Sequence, residues 1–497
     1  MLRRISRCLA SAPCYVNPRA VEAEYAVRGL IPARADEIKA DLAADRGTYP
    51  FKSLVYCNIG NPQSLGQMPL TFPRQVMALV DAPFLLEDEA IVARLPADAV
   101  ARARGYLAEI GTGTGAYTES YGYRFARAAV AAHINERDHG ACPAATVEDI
   151  CLTDGASSGV KLFLQLLVGG ARDAVMIPIP QYPLYTAQIA LLGGTKAPYY
   201  LREAEGWGMR AADLQAAYER CVAESGATPR VLVVINPGNP TGNVLERGVM
   251  EDVVRFCHAH GLLLLADEVY QENVYDARRA FVSFREVVLG MGAPYSAETM
   301  LVSLHSTSKG VIGECGRRGG YFCMTNVPGA LREQVVKLCS INLCANVNGQ
   351  VMTALMCSPP REGDASHAAY RREYDGIFAS MKERAALLAR ELATVRGFSC
   401  QAVEGAMYAF PQITLPARYG ARNEELNAKE GRRLALDARW ALELLESSGV
   451  VVVPGSGFGQ EPGTLHFRTT ILPPLAQMER MVRAIREFQD RVYEQYA

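Results

Sequence analysis

From about residue 145 the chain alternates short, continuously apolar runs with longer stretches whose apolar residues recur every three to four positions. The runs are "EDICLTD", "DAVMIPIP", "RVLVVINP", "LLLLADEVY" and "TMLVSLHSTSKG". Between them lie helical patterns such as "GASSGVKLFLQLLVG", "QYPLYTAQIALLGG" and "GNPTGNVLERGVMEDVVRFCHAHG". Runs rich in Val, Ile and Leu without polar alternation suit strands covered on both faces. Their alternation with helices predicts an α/β fold with a mostly parallel central sheet. Ligands in such folds bind beyond the carboxyl ends of the strands. Asp154, Tyr182, Asn236, Asn239, Asp267 and Ser306 fall at those ends.

Outside this region the pattern changes. Residues 24–45 read as an amphipathic helix, and "YPFKSLVYCNIGNP" as an extended piece closing in a Gly-Asn-Pro turn. Beyond "SPPREGDASH" a long helix is predicted over about 368–396 and another over about 430–448, before "GVVVVPGSGFG", "GTLHFRTTI" and a closing helix. The expected organisation is a basic N-terminal segment at 1–20, a segment at 21–75 joining a smaller α+β domain, a large domain at 76–357, and the rest of the small domain at 358–497. No repeat of 20 to 50 residues is visible.

Composition narrows the function. With 497 residues the chain can bury a large core, and its net charge of -2 argues against nucleic acid or an anionic membrane as the main partner. No apolar run reaches the roughly 20 residues of a membrane helix. Thirteen scattered cysteines argue against a disulfide scaffold and for a reducing compartment. Arg3, Arg4, Arg7 and Arg19, with no acid before Glu22, give the first residues the look of a mitochondrial presequence. A frayed basic terminus in the cytosol explains them equally, so cytoplasm and matrix both stay open.

Eight of the 51 basic residues are lysine. In a chain that so favours arginine, Lys309 stands in "LHSTSKGVIGECGRRGGY", between small hydroxyl residues and glycine. Lysine, unlike arginine, can lose its proton and condense with a carbonyl. Taken alone, such a turn is more simply a solvated loop. Asp267 shifts the balance, because a carboxylate closing a buried strand requires a partner. That partner is either a local arginine or a cationic ligand, and Tyr270 lies three residues on. "TDGASSG" places Ala156 and Ser157 where a strand turns into a helix, a position where free backbone N–H groups can hold an anion. "NPGNPTG" puts Asn239 in a strand-end turn, and "PIPQYPLY" offers Tyr182 as core or as a ring stacked on a heterocycle. Arg468 interrupts an apolar strand, "LHFRTTILP", as an internal ion pair or as a fork for a carboxylate. "CHAH", Cys257–His260, lacks a second ligand pair, so no metal is expected. "GTGTGAYTES" follows no strand and is not a dinucleotide loop.

Taken in order, Tyr117 with Gly122, "GAS", "QYP", "NPTG", "DEVY", "SxSKG" and "FRTT" resemble the fold-type I pyridoxal-phosphate aminotransferases over nearly the whole chain after residue 20. "NIGNPQ", "GECGRRGGY", "EGAMYAFP" and "HFRTTILP" are most similar to the eukaryotic alanine aminotransferase branch. The resemblance implies that Lys309 forms an imine with pyridoxal 5'-phosphate, that Asp267 keeps the ring nitrogen protonated, and that Tyr270 and Asn239 bond the ring oxygen. It implies stacking by Tyr182 and phosphate binding by Ala156, Ser157, Ser306 and Arg318, with Tyr117 reaching the phosphate from the other subunit of a homodimer. Arg468, near the backbone at Gly60, would bind the substrate carboxylate. The pair Arg317–Arg318 departs from the family pattern; Arg318 is expected at the phosphate, with Arg317 in reserve. The implied reaction is L-alanine plus 2-oxoglutarate to pyruvate plus L-glutamate. An aromatic or kynurenine-type transaminase, a lyase like aminocyclopropane-carboxylate synthase, and a non-catalytic regulator on the same scaffold are the alternatives. Loss of Lys309 or Asp267 would favour the last, and both are present.

Overall fold

A computed structural model of the chain describes residues 16–25 and 29–497. The apolar positions Leu2, Ile5, Cys8 and Leu9 of the basic N-terminal segment lie outside the described residues. Pro18–Glu22 form a short helix, and the next described helix is Leu30–Ala43, shorter than the expected 24–45 because Ala23–Tyr25 are not helical. A two-residue strand, β1 (Val55–Tyr56), follows.

Seven strands build the central sheet: β2 (Ile150–Thr153), β3 (Asp173–Ile179), β4 (Thr195–Tyr200), β5 (Thr228–Ile235), β6 (Leu263–Asp267), β7 (Leu301–Ser306) and β8 (Gly320–Thr325). Their order is β2-β8-β7-β6-β5-β3-β4. All pairings from β4 to β7 are parallel; β8 runs antiparallel between β7 and β2. The missing polar alternation has a direct cause in the packing. Val231 and Val233 of β5 enter one core together with Val160 and Phe163, while Leu232 and Val234 enter a second core with Val253, Val254 and Phe284. Helices cover both faces, so the strand is buried without alternation from Val231 to Ile235. Each such Val or Leu contributes about 1.5–3 kcal/mol relative to exposure.

The C-terminal region supplies smaller sheets: β9 (Phe398–Ser399) with β11 (Gln412–Ile413), and β14 (Phe467–Thr470) between β10 (Tyr408–Ala409) and β13 (Val453–Pro454). The strand β12 (Val450–Val451) pairs in parallel with β1 and so ties the N-terminal segment to this region. The long helix is His367–Leu392. The helix expected over 430–448 is Leu436–Ser448, and a further helix that was not expected, Ala417–Glu430, precedes it. Gly431, with φ +61°, ends the latter in the left-handed conformation that glycine tolerates best. The described cysteines are free, and no helix among the described residues is long and apolar enough to cross a membrane.

Candidate active site

The carboxyl ends of β2, β5, β6 and β7 share one edge of the sheet. Because β8 is reversed, its first residue lies at that edge too: Gly320 is in register with both Thr153 and Ser306. A side-chain carbon on Gly320 would lie 2.8 Å from the His305 carbonyl oxygen and 2.9 Å from Gly155, so only glycine lets these chains approach. The edge opens into a cavity of about 390 Å³. Gly60, Ala156, Ser157, Tyr182, Asn239, Asp267, Tyr270, Ser306, Lys309, Arg318 and Arg468 all line it. Residues separated by up to 408 positions thus face one space. Tyr117 does not line it; it is 76% exposed.

Lys309 Nζ donates to the carbonyl of Gly60 at 2.6 Å. Asp267 is buried, and no arginine answers it among the described residues. Its Oδ2 accepts from the Tyr185 hydroxyl at 2.8 Å, and its Oδ1 has no partner. Burial pushes the carboxyl up to about 6, against the opposing pull of the Tyr185 bond, the Val269 backbone and the Lys309 charge. A cation beside Oδ1 would reverse that shift. Tyr185 was not expected from the sequence. The available signal was its position three residues after Tyr182, in the first turn of the helix Leu184–Leu192.

Arg468 is 1% exposed. Its guanidinium lies 4.1 Å from the Tyr408 ring centroid and 4.6 Å from that of Phe458. Nη1 donates to Asn239 Oδ1 at 3.1 Å and Nη2 to the Asn58 carbonyl at 2.6 Å, while Nε has no partner. Among the described residues no carboxylate pairs with it, which leaves a buried cation held only by neutral acceptors. Asn239 also approaches the Tyr270 hydroxyl, Nδ2 to Oη 3.5 Å. Tyr182 and Tyr25 share a hydroxyl contact of 2.6 Å, so the N-terminal segment reaches the cavity as well.

At the opposite wall, the helix Ala156–Leu167 begins behind Gly155, whose φ is +76°. A side-chain carbon on Gly155 would come within 2.6 Å of Arg318 Nη2. That nitrogen donates to the Asp154 carbonyl at 2.7 Å and to Ser157 Oγ at 3.3 Å. Arg318 takes φ +54° and faces the cavity; Arg317 turns to Glu314, 4.0 Å away. A helix start, a hydroxyl and a guanidinium meeting at a glycine form an anion cradle. The motif Cys257–His260 lies on the helix Arg247–His260, with Cys257 buried in the core, and no metal-binding group of His, Cys, Asp or Glu occurs among the described residues.

An amine beside a buried carboxylate, a carboxylate-binding fork and an anion cradle, all at one sheet edge, define an amino-acid-transforming α/β enzyme. Among solved structures, an aminotransferase from Escherichia coli superposes with a TM-score of 0.73 at 22% identity, covering 96% of this chain and 99% of its own. The family profile "Aminotransferase class I and II" matches residues 88–485, and the chain belongs to that family. Members of this family use pyridoxal phosphate. The curated relatives include alanine aminotransferase 2 of Panicum miliaceum, 47% identical over 97% of this chain and 98% of the relative. The mitochondrial alanine aminotransferase 2 of Arabidopsis thaliana is 47% identical over 95% of this chain and 86% of its own. Glutamate–glyoxylate aminotransferase 1 of the same plant is 44% identical over 97% and 96%.

Proposed function

We propose that this chain is a pyridoxal-phosphate-dependent transaminase that converts L-alanine and 2-oxoglutarate to pyruvate and L-glutamate. The observation that carries the reading is the single cavity in which Lys309, Asp267 and Arg468 face one another, with Asp267 Oδ1 and Arg468 Nε both buried without a partner. The near-full-length identity to alanine aminotransferases supports the choice of substrates.

The residues fit the cofactor. The orphaned oxygen of Asp267 suits a protonated ring nitrogen, and the cradle of Ala156, Ser157, Ser306 and Arg318 suits a phosphate dianion. Tyr182 would cover the ring, and Tyr270 with Asn239 would bond its oxygen. When bound, pyridoxal phosphate supplies an aldehyde and an electron-withdrawing ring that stabilises charge at the substrate α-carbon. Asp267 keeps the ring cationic. Lys309 would hold the cofactor, and its amine would move the proton at the substrate α-carbon as general acid and base. Arg468 grips the α-carboxylate common to both substrates and so orients that carbon toward Lys309.

Two further elements belong to the proposal. Tyr117 would act at the phosphate of the partner subunit in a homodimer, consistent with its exposure alongside Met68, Ile341 and Leu343. The chain is assigned to the cell interior, in cytoplasm or mitochondrial matrix; imaging of tagged chains with and without residues 1–20 separates the two.

A second reading, glutamate–glyoxylate transamination, is favoured by the relative with that name. One experiment tests both. Purified enzyme is offered alanine, glutamate, aromatic amino acids and kynurenine, each with 2-oxoglutarate, pyruvate or glyoxylate. Alanine with 2-oxoglutarate is expected to rank first in kcat/KM. Preference for glyoxylate would establish the second reading, and preference for aromatic donors would defeat both. Lys309→Ala should abolish every reaction in the panel.

A further inference from the structure

Tyr408 is buried on β10, and the chemistry above gives its hydroxyl no task. Its ring could serve Arg468 as a stacking face without any oxygen, since phenylalanine offers the same π surface. The hydroxyl lies 3.5 Å from that of Tyr270, and the two rings meet edge to face with centroids 6.1 Å apart. Gly60 marks where this phenol and the lysine converge. A side-chain carbon on Gly60 would strike the Tyr408 hydroxyl, 2.9 Å from Cζ, and lie 3.1 Å from Lys309 Nζ. The amine donates to that same glycine's carbonyl. A buried phenol between an amine and a guanidinium, with a second phenol at its back, is placed for acid–base work rather than for packing.

We propose that Tyr408 is a further catalytic residue, an acid–base partner that exchanges one proton with the Lys309 amine inside the cavity. The inference rests on the role proposed for Lys309 and deepens it. The exchange is balanced: ammonium and phenolate become amine and phenol as the proton passes from Nζ to Oη, and nothing enters or leaves. Its use follows from the reaction. Lysine must be neutral to take a proton from the substrate α-carbon, and Tyr408 gives it a place to leave its own without bulk water. Electrostatics agrees with the geometry. Burial would push the Tyr408 phenol up, but Lys309 and Arg468 beside it, and a bond from Tyr270, hold it below the ordinary tyrosine range. Burial drives the neighbouring Tyr270 well above that range. Of the two phenols, the more acidic is the one that meets the lysine.

Tyr408→Phe keeps the ring over Arg468 and removes the hydroxyl. In the cofactor-loaded full chain, kcat for alanine should fall about 100-fold, with KM changed by less than about threefold. A second readout is independent of turnover. Ultraviolet difference titration of the full chain should show one phenol ionising below about 10, absent in Tyr408→Phe and displaced upward in Lys309→Ala. A kcat within about threefold of wild type overturns the proposal, as does a fall in kcat with an unchanged tyrosinate titration, since the hydroxyl would then act by position alone. Should Tyr408→Phe not hold cofactor, the titration of Lys309→Ala against wild type decides, and identical curves refute the shared proton. Full turnover in Lys309→Ala would instead defeat the underlying assignment of the lysine.

Discussion

The grip of Arg468 on the substrate carboxylate can be tested by Arg468→Lys, which keeps the positive charge and discards the fork. In the native site the guanidinium is fully buried, set between two aromatic rings, and aimed by Asn239 and the Asn58 carbonyl. An ammonium can make only one of the two charge-assisted bonds that a planar fork offers a carboxylate, a loss of about 1.5–3 kcal/mol. It also forfeits the stacking between Tyr408 and Phe458, about 1 kcal/mol. The sum, about 2.5–4 kcal/mol, is about a 70- to 900-fold fall in kcat/KM. Lysine can furthermore shed its proton in so dry a place, which arginine cannot, so the upper end of the range is expected. The assay is steady-state kcat/KM for L-alanine and for 2-oxoglutarate, with cofactor affinity followed separately by absorbance. Both substrates carry the same α-carboxylate, so both should suffer by a similar factor while cofactor affinity holds. A fall smaller than about threefold, or one confined to a single substrate, would refute the reasoning.

Asp267→Asn should leave the fold intact and lower kcat by about 100-fold or more, because the amide cannot hold a ring cation. In the cofactor-free chain the native carboxyl titrates at about 6, above its ordinary 3.8. As pH rises between these values the unfolded chain gives up the proton first, so stability is lost across that window, by about 3 kcal/mol, and is not regained above it. The difference in melting temperature between variant and wild type should therefore grow in the variant's favour from about pH 4 to about pH 6; a constant difference would show that Asp267 is not buried as described. For the dimer, mixing Tyr117→Ala with Lys309→Ala subunits should restore activity neither parent shows, since one of the two hybrid sites is native in both residues. Failure to recover any activity despite subunit exchange would confine Tyr117 to its own chain.

Much of the site was readable because its parts are local. A strand ending in Asp267, a turn at Gly155 and a lysine between Ser308 and Gly310 are each fixed by a few adjacent residues, and their chemistry follows from their type. The continuous apolar runs likewise announced strands covered on both faces, since the cores on either side of β5 take alternate residues of one sequence. Helix limits were less legible: the helix expected from about 430 starts only at Leu436, because the unexpected helix Ala417–Glu430 ends at Gly431, whose φ of +61° is left-handed.

What the sequence could not decide is what meets what. Lys309 bonds a carbonyl 249 residues away, and Arg468 one 410 residues away, in contacts set by how β1 and β12 pair and how the small sheets pack over the edge of the large one. Arg317 and Arg318 are adjacent and chemically identical, yet only Arg318, at φ +54°, lines the cavity, while Arg317 lies 4.0 Å from Glu314. Tyr185 and Tyr408 read as ordinary aromatic positions until folding set one hydroxyl on Asp267 and the other over Gly60. Residue type, carried in the sequence, determined which reactions were available. Burial and distance, which exist only once the chain is packed, determined which groups would be left without water or a partner, and so where those reactions can occur.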